Sequence, residues 1–282
     1  MQIGLFGLHR GSSAQPEVLA RRARRAEELG FESLWVGDHI ALPAGDDAGG
    51  NMPHQPRLEA LTALTFMAAV TQRVRLGVGV IVLPQRQPVL LAKQLASLDA
   101  LSSGRLIVGL GVGYLETELR ALGASLADRG ARTDEYLAVM RALWSPEPAS
   151  FSGRFVEFQN VVQRPQPVQQ PHPPIIFGGQ SPAALCRTVL NADGWHGFDM
   201  DLDATANAIV DLQDATVRYA RPPERGQLEV MITPPGGQLS LDTARRYADL
   251  GVDRLVIQPE RMDGSEIDDL MTQLADTVIG RV

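Results

Sequence analysis

Lysine is almost missing from this 282-residue chain: of 26 basic residues, 25 are arginine and only Lys93 is lysine. Schiff-base aldolases and pyridoxal enzymes need a catalytic lysine. Lys93 falls inside an expected helix rather than in a loop at a site, so both classes are poor candidates. Codon bias in a GC-rich genome accounts for the ratio. Cysteine is equally scarce. Cys186 stands alone and cannot form an internal disulfide, which predicts a reducing, cytoplasmic setting. No apolar run approaches the length that spans a bilayer. The opening MQIGLFGL lacks a basic n-region and reads as a strand, not a signal peptide. Positive charge is in deficit, with a net charge of -7, which argues against nucleic acid or an anionic membrane as the main partner. Metal-ligand spacing is absent, since no HxH or carboxylate–histidine cluster accompanies Asp38-His39. Neither a GxSxG elbow nor a Cys–His arrangement supports hydrolysis through a nucleophile.

What the chain does have is alternation. Strands are expected at Ile3–Leu8, Ser33–Val36, Val74–Leu83, Leu106–Gly109, Pro174–Phe177, Asp193–Trp195, Leu228–Ile232 and Arg254–Ile257. Helices are expected at Pro16–Leu29, Leu58–Val70, Pro88–Leu101, Thr133–Leu143 (Thr133 as N-cap), Pro182–Leu190, Ala204–Tyr219, Ser240–Leu250 and Ser265–Ile279. Contiguous apolar strands suggest burial on both faces, as in parallel sheets. Eight strand–helix units over this length predict a single-domain (β/α)8 TIM barrel over residues 1–282 rather than an open, doubly wound sheet. The Pro-rich stretch 164–174 reads as an extended insertion between the fourth helix and the fifth strand.

Barrel enzymes place their chemistry at the C-terminal ends of strands. Reading off those ends gives His9-Arg10, Gly37-Asp38-His39, Val82-Leu83-Pro84, Gly109–Tyr114, Gly178–Ser181 and His196. Three histidines are thus expected at one rim, where imidazole can serve as acid, base or ligand. In Gly178-Gly179-Gln180-Ser181-Pro182 the glycines permit close approach and Ser181 is a natural N-cap. The turn reads equally as a phosphate site and as an ordinary capped turn. The Gly109, Gly111, Gly113 run is a weak dinucleotide fingerprint, because Tyr114 stands where a third glycine would be needed. It reads either as a wall against a flat ligand, including Val112 and Gly113, or as close packing at the rim. Gly77 and Gly79 inside the third strand mark a bulge or a close backbone approach. The loops at residues 40–57 and 146–172 are expected to line the pocket.

Taken in order, several segments resemble the luciferase-like monooxygenase family, and within it the single-domain oxidoreductases that use the deazaflavin coenzyme F420. They are GFESLWVGDH at 30–39, RVRLGVGV at 73–80, PVLLAKQ at 88–94, Leu98-Asp99 with SGRL at 103–106, Gly109–Tyr114, and 165–179 leading into the double-glycine turn. The resemblance covers residues 1 to about 200. It implies a flavin-like ring at the C-terminal mouth, with Asp38 contacting the ring and His39 as the catalytic residue. It implies a strand-three bulge with a non-prolyl cis peptide at Gly79-Val80 behind the ring, and a phosphate turn at Gly178, Gly179 and Ser181. Tyr114 departs from the pattern of the related sugar-phosphate dehydrogenases, which carry a glutamate base there, so oxidation of glucose 6-phosphate is not expected.

The implied activity is hydride transfer between F420 and a small organic substrate with an activated C=C, C=O or C=N, or an alcohol in reverse. His39 is the expected proton donor, with Tyr114 or His196 as substitutes and His9 and His196 near the substrate. Two alternatives stay open: an FMN-dependent monooxygenase fed by a separate flavin reductase, and an inactive cofactor-binding homologue. A homodimer and a separate cofactor-reducing enzyme fit the resemblance as partners.

Overall fold

The computed structural model describes residues 1–45, 48, 51–237, 239–260 and 266–282. Its strands are β1 (Gln2–Phe6), β2 (Ser33–Val36), β3 (Arg75–Val82), β4 (Leu106–Gly111), β5 (Ala149–Ser152), β6 (Glu157–Val161), β7 (Ile175–Gly178), β8 (Gly194–Phe198), β9 (Glu229–Thr233) and β10 (Arg254–Ile257). Its helices are α1 (Pro16–Glu28), α2 (Ala60–Val70), α3 (Pro88–Leu101), α4 (Glu116–Ala121), α5 (Arg129–Leu143), α6 (Pro182–Asn191), α7 (Leu202–Arg218), α8 (Leu241–Asp249) and α9 (Glu266–Thr277). The expected start of the last helix, Ser265, lies outside the described residues. Eight parallel strands close in the order β1-β10-β9-β8-β7-β4-β3-β2, the (β/α)8 barrel expected from the alternation.

Pleating divides the core into two layers. Leu34, Val36, Leu76, Val78, Leu106 and Val108 face outward onto the helices. Phe6, Trp35, Ile107, Ile176, Met231 and Val256 form a separate cluster inside the barrel. Gly77 makes room for the Trp35 ring, which a Cβ there would meet at 2.4 Å. Arg254 plugs the N-terminal end. Its guanidinium sits 5.8 Å from the Trp35 ring, donates to Ser33 Oγ at 2.8 Å, and pairs with Glu32 and with Glu229 at 2.8 Å. Charge on both sides satisfies an otherwise costly buried cation.

Three elements differ from expectation. Helix α4 is new. Helix α5 begins at Arg129, and Thr133 is inside it, its hydroxyl donating back to the Arg129 carbonyl at 2.8 Å rather than capping. The insertion contains the antiparallel β5–β6 hairpin. Non-local contacts hold that hairpin. Glu135 on α5 accepts the amides of Arg154, Phe155 and Val156 at 2.7–2.8 Å, and Phe151 stacks on Phe158 at 6.1 Å. The proline-rich part is fixed by Asp99, which accepts the backbone amides of Val168 (2.7 Å) and Gln169 (2.9 Å), while the side-chain Nε2 of Gln169 donates to the Leu106 carbonyl at the start of β4. The segment after α5 therefore starts at the N-terminal end of the barrel, where Gln166 meets the Leu143 carbonyl and Val168 meets Asp99, while the hairpin packs back along the flank of α5 against Arg132, Glu135 and Tyr136. The physical reason is topological: helices run back against the strands, so whatever follows α5 emerges at the far end.

Candidate active site at the barrel mouth

The pairing of β3 with β4 shifts between Val78 and Ile81, and the Gly79–Val80 peptide within that bulge is cis. The bulge and the cis peptide thus occupy the position the resemblance implied. They also explain the glycine run. A Cβ on Gly109 would lie 2.0 Å from the Val78 carbonyl oxygen. One on Gly111 would lie 2.7 Å from Val80 Cγ2, and one on Gly113 2.5 Å from Val82 Cγ1. Gly113 also has φ +77. The glycines receive the bulge of the neighbouring strand, which is the close-packing reading of this run. Val80 then lies half-buried as an apolar ledge, with Gly178 on its other side, where a Cβ would stand 3.5 Å from Val80 Cγ1. Val112 is half-buried at the end of β4.

Gly178 ends β7, and Gly179 (φ +102) turns the chain into α6. Trp195 Nε1 donates to the Gly179 carbonyl at 2.9 Å. Ser181 caps α6, its Oγ accepting from the Ala184 amide at 3.2 Å, with Pro182 in the first helical position. The capping role engages the Ser181 hydroxyl, and the exposed backbone of Gly179–Ser181 is the part free to meet an anion.

Asp38 follows β2 and is buried. Its carboxylate accepts the Val82 amide at 3.1 Å and pairs with Arg86, which also reaches Glu59 at 3.0 Å. Burial outweighs that pairing and pushes the Asp38 carboxyl upward. Both oxygens of Asp38 are thus engaged in tying the end of β2 to the end of β3.

The next residue is placed differently. His39 Nδ1 lies 2.9 Å from Glu118 Oε2, while Glu118 Oε1 accepts the amides of Ile40 (2.6 Å) and Ala41 (3.1 Å). These donors, with the His39 hydrogen bond foremost, hold Glu118 below the usual carboxylate range despite its burial. A carboxylate only accepts, so Nδ1 of His39 carries the proton and Nε2 is left for another partner. Tyr114 is exposed. Its ring meets His39 edge-on at 6.0 Å and its hydroxyl accepts from Asn51 at 3.1 Å. Glu118 belongs to none of the motifs above; it lies soon after the glycine run, as does Glu116, which is exposed.

The other two rim histidines are interior groups. His196 lies within β8, not after it. Its Nε2 pairs with Thr233 Oγ1 at 2.9 Å, and burial lowers its pKa to about 4. Burial thus favours its neutral imidazole, held by Thr233. His9 is buried, with Nε2 accepting from the Gly37 amide at 3.3 Å, and burial holds its pKa well below the ordinary value. On the opposite side of the mouth, a cavity of about 180 Å³ is bounded by Phe198, Asp199, Thr233, Gly236 and Gln258. Among the described residues no group of three or more acidic, histidine or cysteine side chains could hold a metal, and no helix is long and apolar enough to cross a membrane.

Residues 1–236 match the model of the luciferase-like monooxygenase family. The chain belongs to that family. An uncharacterized protein of Mycobacterium tuberculosis is 32% identical over 269 residues, which is 91% of this chain and 92% of that protein. Two relatives with named activities match over shorter spans. The F420-dependent glucose-6-phosphate dehydrogenase of Amycolatopsis mediterranei is 34% identical over 173 residues (58% of this chain, 48% of that protein). The FMNH(2)-dependent dimethylsulfone monooxygenase of Pseudomonas putida is 32% identical over 165 residues (57% and 43%). In fold, the chain superposes on an F420-dependent secondary alcohol dehydrogenase with a TM-score of 0.78 at 18% identity, covering 98% of each chain. It is a luciferase-like oxidoreductase by family.

Relatives in this family thus use either F420 or reduced FMN. The residues present fit a planar ring. The ledge at Gly79-Val80 is flanked by glycines 109, 111 and 178, and a side chain at 109 or 111 would clash with Val78 or push Val80 out of place. The exposed Gly179–Ser181 backbone supplies a place for a phosphate.

Proposed function

We propose that this member of the luciferase-like family is an F420-dependent oxidoreductase acting on a small organic substrate with an activated C=C, C=O or C=N bond, or on an alcohol in the reverse direction. When bound, the reduced coenzyme supplies a hydride. The Gly79-Val80 ledge would carry its ring, with Val112 and Gly113 near it, and the Gly178, Gly179, Ser181 turn its phosphate. Asp38 acts on that ledge through the Val82 amide and Arg86.

The observation that carries this reading is the His39–Glu118 pair. Reduction by hydride leaves a substrate atom in need of a proton. His39, oriented through Nδ1, presents Nε2 to give it, and the Glu118 carboxylate offsets the charge while the imidazole is protonated. In the reverse direction the same nitrogen accepts the hydroxyl proton. Trp35 and Phe6 fill the barrel interior beneath the mouth, and the half-exposed Phe198 meets Phe6 edge-on at the rim.

A second reading draws on the similarity to the FMNH(2)-dependent monooxygenase. Here the ledge would hold reduced FMN delivered by a separate reductase. Titration of the protein with F420 and with FMN, followed through the visible spectrum, tests the choice. Binding of F420, with turnover on a panel of enones, ketones, imines and alcohols, supports the first reading. Tight FMN binding without F420 binding overturns it. His39→Ala is expected to bind coenzyme and lose turnover. Coenzyme binding by the unaltered protein without turnover on any acceptor would instead favour an inactive homologue.

A further inference from the structure

The loops after β1 and β2 are stitched together at the mouth. Arg10 and Arg57 form a short antiparallel bridge, the Gly11 amide donates to the Pro56 carbonyl at 2.9 Å, and the Leu58 amide to the His9 carbonyl at 2.9 Å. This arrangement brings two arginines side by side beside His9. The Arg10 guanidinium lies 5.4 Å from the Phe6 ring centroid. Its Nε and Nη2 are buried without a hydrogen-bond partner among the described residues, and so are Arg57 Nε and His9 Nδ1. Because His9 Nε2 accepts from Gly37, its Nδ1 is the protonated nitrogen, a further donor.

The electrostatics point the same way. Burial and the neighbouring Arg57 bring the pKa of Arg10 down to about 10, and no carboxylate among the described residues opposes that effect. Arg57 is lowered by burial, with Glu118 and Tyr114 acting against it, which places it beside the His39–Glu118 pair. Glu118 is already committed to His39, Ile40 and Ala41. Buried donors on paired cations are costly unless an acceptor of opposite charge meets them. Nε and Nη2 share one edge of a guanidinium, a fork that matches two oxygens of one oxyanion.

We propose that Arg10 and Arg57, with His9, form a binding site for an oxyanion group, carboxylate or phosphate, carried by the substrate. The word substrate rests on the function proposed above; the anion site rests on the geometry alone. The substrate class narrows to organic anions whose reducible bond lies close to the acid group, so that anchoring the anion at Arg10 brings that bond to His39. The Arg10 fork, without a partner among the described residues, also makes a neutral substrate of the same shape a poor one, because it would stay unpaired.

The test begins with coenzyme-free protein titrated calorimetrically with inorganic phosphate and, separately, with acetate. Saturable binding of one of them, weakened at least about tenfold in Arg10→Gln and Arg57→Gln, is expected. Phosphate preference assigns a phosphate ester, and acetate preference a carboxylic acid. Arg10→Lys keeps charge but loses the fork, so it is expected to bind weakly while retaining the circular dichroism spectrum of the parent. Binding of neither anion overturns the site. Equal binding by the parent and all three variants shows an adventitious ion only and also overturns it. Competition of the bound anion with F420 or FMN would give the site to the coenzyme and overturn a substrate role. The coenzyme titration, run on the same samples, separates the two claims: its failure with anion binding intact sinks the proposed function and leaves the site.

Discussion

Nδ1 of His39 stands 2.9 Å from Oε2 of Glu118, and the other oxygen of the same carboxylate holds the amides of Ile40 and Ala41. One buried acid thus fixes both the imidazole and the start of the loop that leaves β2. The pair joins residues 79 positions apart in sequence and gives His39 a defined tautomer.

Glu118→Gln removes the charge and keeps the shape. Turnover is expected to fall about 10–100-fold, with the coenzyme dissociation constant nearly unchanged. Steady-state kinetics beside a spectral titration check this; unchanged turnover would reduce Glu118 to a loop anchor. The substitution also alters acid stability. The folded-state pKa of Glu118 is depressed below 4.5. Its stabilising contribution is therefore complete above the unfolded value and lost as pH falls through the folded one. Thermal unfolding below pH 4.5 should be less pH-dependent in the variant.

His196 carries a second pH signature. Its pKa falls from 6.5 to about 4 on burial. Between those values the unfolded chain binds the proton and the folded one does not, so stability decreases as pH drops from 6.5 to about 4. His196→Asn is expected to flatten that slope, a change of at most about 3 kcal/mol across the window. Melting curves at pH 7 and pH 4.5 provide the comparison. A His196 ring signal that titrates near 6.5 by NMR would refute the assignment.

The glycines of β4 should separate fold from ligand. Gly109→Ala sets a Cβ 2.0 Å from the Val78 carbonyl oxygen, a backbone collision that is expected to destabilise by more than about 3 kcal/mol or prevent folding. Gly111→Ala meets only the Val80 side chain, at 2.7 Å. That variant should fold, lose about 1–3 kcal/mol, and bind coenzyme more weakly as the ledge shifts. Urea unfolding and coenzyme titration read the two effects independently.

Arg86→Met leaves the buried Asp38 carboxylate without its cation, at a cost of about 3–5 kcal/mol. Asp38→Asn in the same chain should recover much of that loss, since an amide does not need the partner charge. The double-mutant cycle by chemical denaturation measures the coupling. Additive losses would show that Arg86 acts mainly through Glu59.

The barrel itself was legible because its signal is local and repeated. Ser33–Val36, Pro88–Leu101 and Arg254–Ile257 occupy the expected ranges, and the remaining barrel elements differ by a few residues at their ends. The β5–β6 hairpin was not legible, because its turn is ordered by Glu135 on the preceding helix α5 and not by residues of the turn itself. Helix α4 was likewise hidden in a short charged segment that carries little periodicity, with Glu118 and Leu119 its buried residues.

The site divides along the same line. Sequence by itself determined the alternation that predicts the barrel, and the local segments Asp38-His39, Gly79-Val80 and Gly178–Ser181. Each is set by residues adjacent in the chain. Only the tertiary structure decided which side chains meet. It turned Asp38 inward to Arg86, buried His9 and His196 as neutral imidazoles, joined His39 to Glu118, and laid Arg10 against Arg57. Those pairings depend on how strands and loops distant in sequence are brought together at one rim. Hydrogen bonds and charges act over a few ångströms of space, whatever the separation along the chain.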